Sequence, residues 1–221
     1  MTPLPTPELG DQAEPAHYPA APGALGGEAA SAERDARERI LHAAYELFCR
    51  HGVASTGIDR IVAEAGVAKM TLYRHFPSKD ALATAVIELR AELFTHRWLA
   101  YEIERRATTP AAGLLAIFDL FDEWFHRDGF ESCLFIKCLF ETAGEGGPVS
   151  EAAGRELEAI RALLRRLAGD AGARDPTALA YELQVLMSGA IVLATDGDAD
   201  AARRARAVAE LILRREGLQP E

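Results

Sequence analysis

Two short apolar patterns of helical period, hinged on Gly66 and stopped at Pro77, constrain this chain more than any other feature. Ile58, Ile61, Val62 and Ala65 line one face of the first, and Val67, Leu72 and Phe76 one face of the second. Two short helices joined through a glycine turn make a helix-turn-helix. Ahead of them, Ile40, Ala44, Leu47 and Phe48 fall at i, i+4, i+7 and i+8, which predicts an amphipathic helix over 33–51. Gly52 can end that helix in a left-handed conformation. Thr56, followed three positions on by Asp59, reads as a capping box with Asp in place of Glu. Beyond Pro77, Ser78 is placed to cap a long helix through about Arg105. No strand period is sustained anywhere, so the expected fold class is all-α.

Residues 66–80 carry the chemistry. A helix entering the DNA major groove needs small or polar residues at its exposed N-terminal end, so that the backbone can approach the bases. Ala68, Lys69 and Thr71 meet that need, while Val67, Leu72 and Phe76 can anchor the helix from behind. Phosphate contacts call for hydroxyls, amines and helix N-termini. Thr56, Tyr73, His75 and Lys79 supply them, and Arg74 completes a cluster of Tyr, Arg, His and Lys within seven positions.

The net charge of −10 fits a DNA-binding protein only when divided along the chain. Residues 34–90 carry nine Lys/Arg against seven Asp/Glu, while 1–33 carry five acids and no base. Residues 91–221 carry 15 bases and 22 acids. An acidic remainder repels DNA and confines contact to the one net-positive segment.

The run from Ile61 to Leu82, IVAEAGVAKMTLYRHFPSKDAL, resembles the signature of the TetR family of regulators, the close similarity covering about residues 37–90. The resemblance implies that Tyr73 and Lys79 bind phosphates and that Lys69, Met70 and Thr71 face the groove. Two positions depart from the family pattern. Ala68 stands where a capping Ser is common. Met70 replaces a common glycine with a side chain suited to a thymine methyl. The implied layout is a three-helix DNA-binding domain at 33–82, then a larger helical effector-binding and dimerisation domain at 83–216. The implied function is a repressor that binds a pseudo-palindromic double-stranded operator as a homodimer and leaves it when a small molecule binds.

The rest of the chain supports that layout independently. Ile117, Leu120, Phe121, Trp124 and Phe125 form one apolar stripe, and Leu157, Ile160, Leu163, Leu164 and Leu167 another. Two apolar helices at about 176–195 and 199–215, separated by an Asp196-Gly197-Asp198 turn, expose a face that needs a partner; the resemblance implies pairing with a second copy. Aromatic residues crowd 94–140, and Phe94, Trp98, Phe121, Trp124 and Phe125 are the expected lining of a pocket for a mostly apolar ligand. Singly, each such aromatic also suits plain core packing.

No nucleophile motif, phosphate-cradling glycine loop or metal-spaced histidine pair points to an enzyme, a cofactor or a metal. A redox- or metal-responsive regulator through Cys133 and Cys138 is the alternative. Five residues apart, they stand about 140° apart around a helix, which disfavours a disulfide within it. Three cysteines suit a reducing cytoplasm. The start of the chain lacks a secretory pattern, and no apolar run of about 20 residues suggests a membrane span. Residues 1–32 hold six of the 11 prolines and read as a disordered tail.

Overall fold

The computed structural model describes residues 32–219, so the tail expectation for 1–32 falls almost wholly outside the described residues. Ten α-helices follow one another, with no strand among the described residues. They are α1 (Ala32–His51), α2 (Ile58–Ala65), α3 (Lys69–His75), α4 (Lys79–Ala91), α5 (Ala100–Arg106), α6 (Pro110–Phe125), α7 (Leu134–Glu141), α8 (Pro148–Asp170), α9 (Pro176–Thr195) and α10 (Ala201–Glu216). The all-α expectation holds.

The boundaries have local causes. Gly52 closes α1 at φ +84°, and Gly66 closes α2 at φ +62°, where an L side chain is strained. Ser78 caps α4 by accepting from the Ala81 amide at 3.0 Å. Thr109 does the same for α6, and Asp175 for α9, each just before a proline in the first turn. The long helix expected from Ser78 to about Arg105 is continuous in direction but not uniform: Glu92–Leu99 between α4 and α5 is π-helical. The capping box at Thr56 is corrected. The N-cap of α2 is Gly57, without a side-chain cap.

One apolar core runs through the molecule. Ile40, Phe48, Ile61, Leu72 and Leu82 lock α1–α4 together, each at 0% exposure. Helix α8 packs on α4, α7 and α9, and α10 packs on α6 and α9. Helix α9 is, by length and composition, apolar enough to cross a membrane, which corrects the expectation that no such stretch exists. Here it is flanked by α8 and α10, and Leu179, Leu183 and Met187 are buried between them. Its outer face is also apolar: Tyr181, Val185, Val192 and Leu193 are exposed, as are Val208 and Leu211 on α10.

Candidate DNA-binding face and ligand cavity

Helix α3 is held from behind by Leu72 at 0% and Phe76 at 3% exposure, with Arg37 stacked over the Phe76 ring at 5.2 Å. This fixes the angle at which the helix presents its other face. Lys69, Met70, Tyr73 and Arg74 are exposed there, Met70 at 78%. Thr71, His75 and Lys79 are half-buried beside them. The N-cap Ala68 offers no side-chain acceptor to the first turn, whose Thr71 N–H donates to the Ala68 carbonyl at 2.9 Å. Lys69 donates to Asp59 at 2.8 Å, and that carboxylate holds the lysine above its ordinary range. Both are exposed, so a phosphate can displace the pairing at little cost. Lys79 donates to the Ala54 carbonyl at 3.4 Å.

Two of the expected DNA contacts differ in the structure. Thr56 is fully buried, and its hydroxyl donates to the Gly52 carbonyl at 2.7 Å. It braces the turn after α1 and has no surface to offer a phosphate. The Nε2 atom of His75 is enclosed, and the residue as a whole is half-buried.

The five expected ligand-pocket aromatics are all buried, but they divide. Phe94, Phe121 and Trp124 line a cavity, whereas Trp98 and Phe125 stand behind it. Trp98 stacks on Phe94 at 5.1 Å, and Phe125 packs on Phe121 at 5.7 Å. The remaining wall comes from Arg90 on α4, Cys133, Phe135 and Ile136 at the start of α7, Leu157 and Ile160 on α8, and Gln184, Met187, Ser188 and Ile191 on α9. Free space inside is only about 20 Å³, room for about one water. A ligand therefore has to part the walls. A roomier groove of about 360 Å³ lies between the start of α6 and the end of α10. It is open, and its Arg206 and Arg214 already pair with Glu210.

Polar members of the cavity wall escaped the sequence reading. Arg90 donates to the Tyr45 hydroxyl at 2.7 Å and lies 4.9 Å over the Phe94 ring. Burial pulls its guanidinium down to about 10, still charged at neutral pH. The Gln184 amide donates to the Leu157 carbonyl at 2.9 Å and accepts from Arg161 at 2.5 Å. A glutamine inside a mostly apolar helix was the available signal.

Cys49, Cys133 and Cys138 are free and buried. Burial pushes all three thiols up, Cys138 to about 12. Among the described residues, one group could approach a metal, Asp122, His126 and Asp200, and it contains no thiol. Arg203 already pairs with Asp122 at 3.1 Å and with Asp200 at 2.9 Å, which offsets one of its two negative charges.

An all-helical chain with an anchored, exposed recognition helix defines a helix-turn-helix DNA-binding protein. Residues 40–86 match the family model described as "Bacterial regulatory proteins, tetR family", and 110–209 match "Tetracyclin repressor-like, C-terminal domain". A regulator from Streptomyces coelicolor, SCO4454, has a similar structure: TM-score 0.74 at 26% identity, over 83% of this chain and 96% of that one. The chain belongs to the TetR family of transcriptional regulators. The HTH-type regulator LmrA of Bacillus subtilis is 36% identical over 83 residues, which are 37% of this chain and 43% of LmrA. An uncharacterized HTH-type regulator of Mycobacterium tuberculosis, Rv1255c, is 46% identical over 52 residues, 24% of this chain and 26% of that protein. The chain thus spans less than half the length of these curated relatives.

Proposed function

We propose that this regulator is a cytoplasmic repressor. It binds a pseudo-palindromic operator as a homodimer and is released by a mostly apolar small molecule in the cavity at Phe94, Phe121 and Trp124. The observation that carries the DNA half is the recognition helix: apolar residues buried behind it, and Lys69, Met70, Tyr73 and Arg74 exposed in front. In this reading Lys69, Met70 and Thr71 reach base edges. Tyr73, Arg74, His75 and Lys79 hold phosphates. The 33–82 segment is the DNA-binding unit and 83–216 the effector-binding and dimerisation unit.

Helix α4 links the two. Its first turn follows the recognition helix, and its last turn carries Arg90 to the cavity wall. A ligand that displaces α4 changes the separation of the two recognition helices, and the fixed spacing of duplex grooves penalises the change. Only differential affinity for the two states drives this. A coupling of about 1–3 kcal/mol lowers operator affinity some 5–150-fold, and bound operator weakens the ligand by the same factor.

The test begins with DNA fragments recovered by the purified protein, whose neighbouring genes suggest ligands to titrate with and without operator. A dyad-symmetric footprint and a ligand affinity that drops in the presence of operator support the reading. An asymmetric footprint overturns its DNA half, and equal ligand affinity overturns the switch.

A further inference from the structure

Helix α7 has one end in the cavity wall and the other on the DNA-binding end of the molecule. Cys133, Phe135 and Ile136 line the cavity. One to two turns on, the Glu141 carboxylate accepts from the Val53 amide at 2.9 Å and the Ala54 amide at 3.0 Å. These amides belong to the turn between α1 and α2. Between those points, the Lys137 ammonium donates to the Cys49 carbonyl in the last turn of α1, and to the Glu131 carbonyl, both at 2.5 Å. Arg50 adds a contact to the Glu131 carboxylate at 3.4 Å. The turn gripped in this way is the one that Lys79 touches at Ala54, so a candidate phosphate ligand and the grip share one residue. Gly52 leaves room for the carboxylate: a Cβ there would fall 1.9 Å from Glu141 Oε1.

We propose that α7 is the latch that carries cavity occupancy to the DNA-binding end, with Glu141 and Lys137 as positioning residues that set the α1–α2 turn. This rests on the cavity being the effector site, and it adds a route distinct from the displacement of α4. Three features single out α7 among the walls. It has eight residues, against 23 in α8 and 20 in α9, so it has the least packed length to resist displacement. It is entered through Ser132, which takes φ +67° without being glycine, and left through Gly144, Gly146 and Gly147, all at positive φ. Such flanks absorb rotation of a short element. Finally, the cavity's free space is about 20 Å³, so occupancy has to displace some wall. Moving α7 drags a charge-assisted pair of hydrogen bonds that the two amides cannot replace with each other.

A double-mutant cycle tests the latch without any ligand. Ile136→Trp enlarges the α7 side chain that faces the cavity, and Glu141→Ala cuts the grip. Binding is measured on a duplex selected from random sequence by the full-length wild-type chain. Ile136→Trp is expected to weaken binding at least fivefold on its own, and by less than about twofold once Glu141→Ala is present. Distant, unconnected sites would instead add. Glu141→Gln, which keeps an acceptor for the amides, should restore part of the response. Hydrogen exchange at the Val53 and Ala54 amides should quicken in Ile136→Trp, a change that loss of packing around residue 136 alone would not produce. If the tryptophan variant loses its helical circular dichroism, Ile136→Phe takes its place under the same criteria. An equal loss of binding in both backgrounds overturns the latch, and so does no loss in either. A chain without an effector would fail the ligand titration yet leave this cycle intact, so the two failures are distinguishable.

Discussion

At the scale of single residues, location decides role. Thr56 and Lys79 both looked like phosphate ligands, yet one is sealed inside the turn and the other stands half-exposed beside α3. Thr56→Val should cost about 1–3 kcal/mol of stability, because the Gly52 carbonyl loses its donor inside the fold. It should leave the salt dependence of DNA binding unchanged; thermal melts and salt titrations read the two effects apart. Lys79→Ala should do the reverse, weakening every site alike and flattening the salt slope by about one unit. An unchanged slope would remove Lys79 from the phosphate set. Thr71→Ala should shift preference at a single base step by about 1–3 kcal/mol, measured against a panel of single-base operator variants. The sequence could not separate Thr56 from the others, since a hydroxyl before a helix serves equally as a cap, a brace or a phosphate ligand. Here the N-cap falls one residue later, on Gly57 at φ −82° and ψ 150°, and the threonine turns inward.

At the scale of elements, punctuation was legible and facing was not. Gly52, Gly66, Pro77 and Ser78 marked helix ends because each has a backbone reason to be there. Nothing in the period of Phe94 and Trp98 marked the π-helical stretch that contains them, or said which ring would face a cavity. Both rings are apolar and four apart, yet only one is in the wall. Glu141 and Lys137 left no trace either, because their partners are backbone groups 87 and 88 residues away. The consequence for the aromatics is a graded outcome. Trp124→Ala should abolish ligand response while DNA binding persists, whereas Trp98→Ala should mainly destabilise, by about 3–5 kcal/mol, as buried aromatic truncations do. Ligand titration together with chemical denaturation separates the two. The thiols follow the same logic. Burial holds all three protonated at neutral pH, and the thiolate is the reactive form. The folded protein should therefore resist iodoacetamide near pH 7 and react at three sites once unfolded. Rapid labelling of Cys133 or Cys138 in the folded state, read by mass spectrometry, would revive the redox alternative.

At the scale of the whole molecule, two surfaces have to act together. The exposed apolar residues of α9 and α10 lie far along the chain from the recognition helix. Val185 at 70% and Leu211 at 63% exposure give a lone protomer an apolar patch that water disfavours. In the proposed homodimer a twofold axis through that patch covers it with its own copy, because an isologous interface needs only self-complementary shape. The same axis gives the molecule two recognition helices, and half-sites read by such dimers usually lie about 34 Å apart. In that proposed dimer, pairing α9 and α10 with their mates is a condition for operator affinity. Val185→Arg combined with Leu211→Glu alters only exposed positions, so each protomer should keep its helical content and melt cooperatively. Sedimentation should then show a single-chain mass where the wild type shows two chains. DNA affinity should fall by far more than a lost contact explains, because the second half-site no longer adds its binding energy to the first. Footprints should shrink to one half-site or vanish. A variant that stays dimeric would move the interface elsewhere. A monomeric variant with undiminished operator affinity would separate dimerisation from DNA recognition altogether.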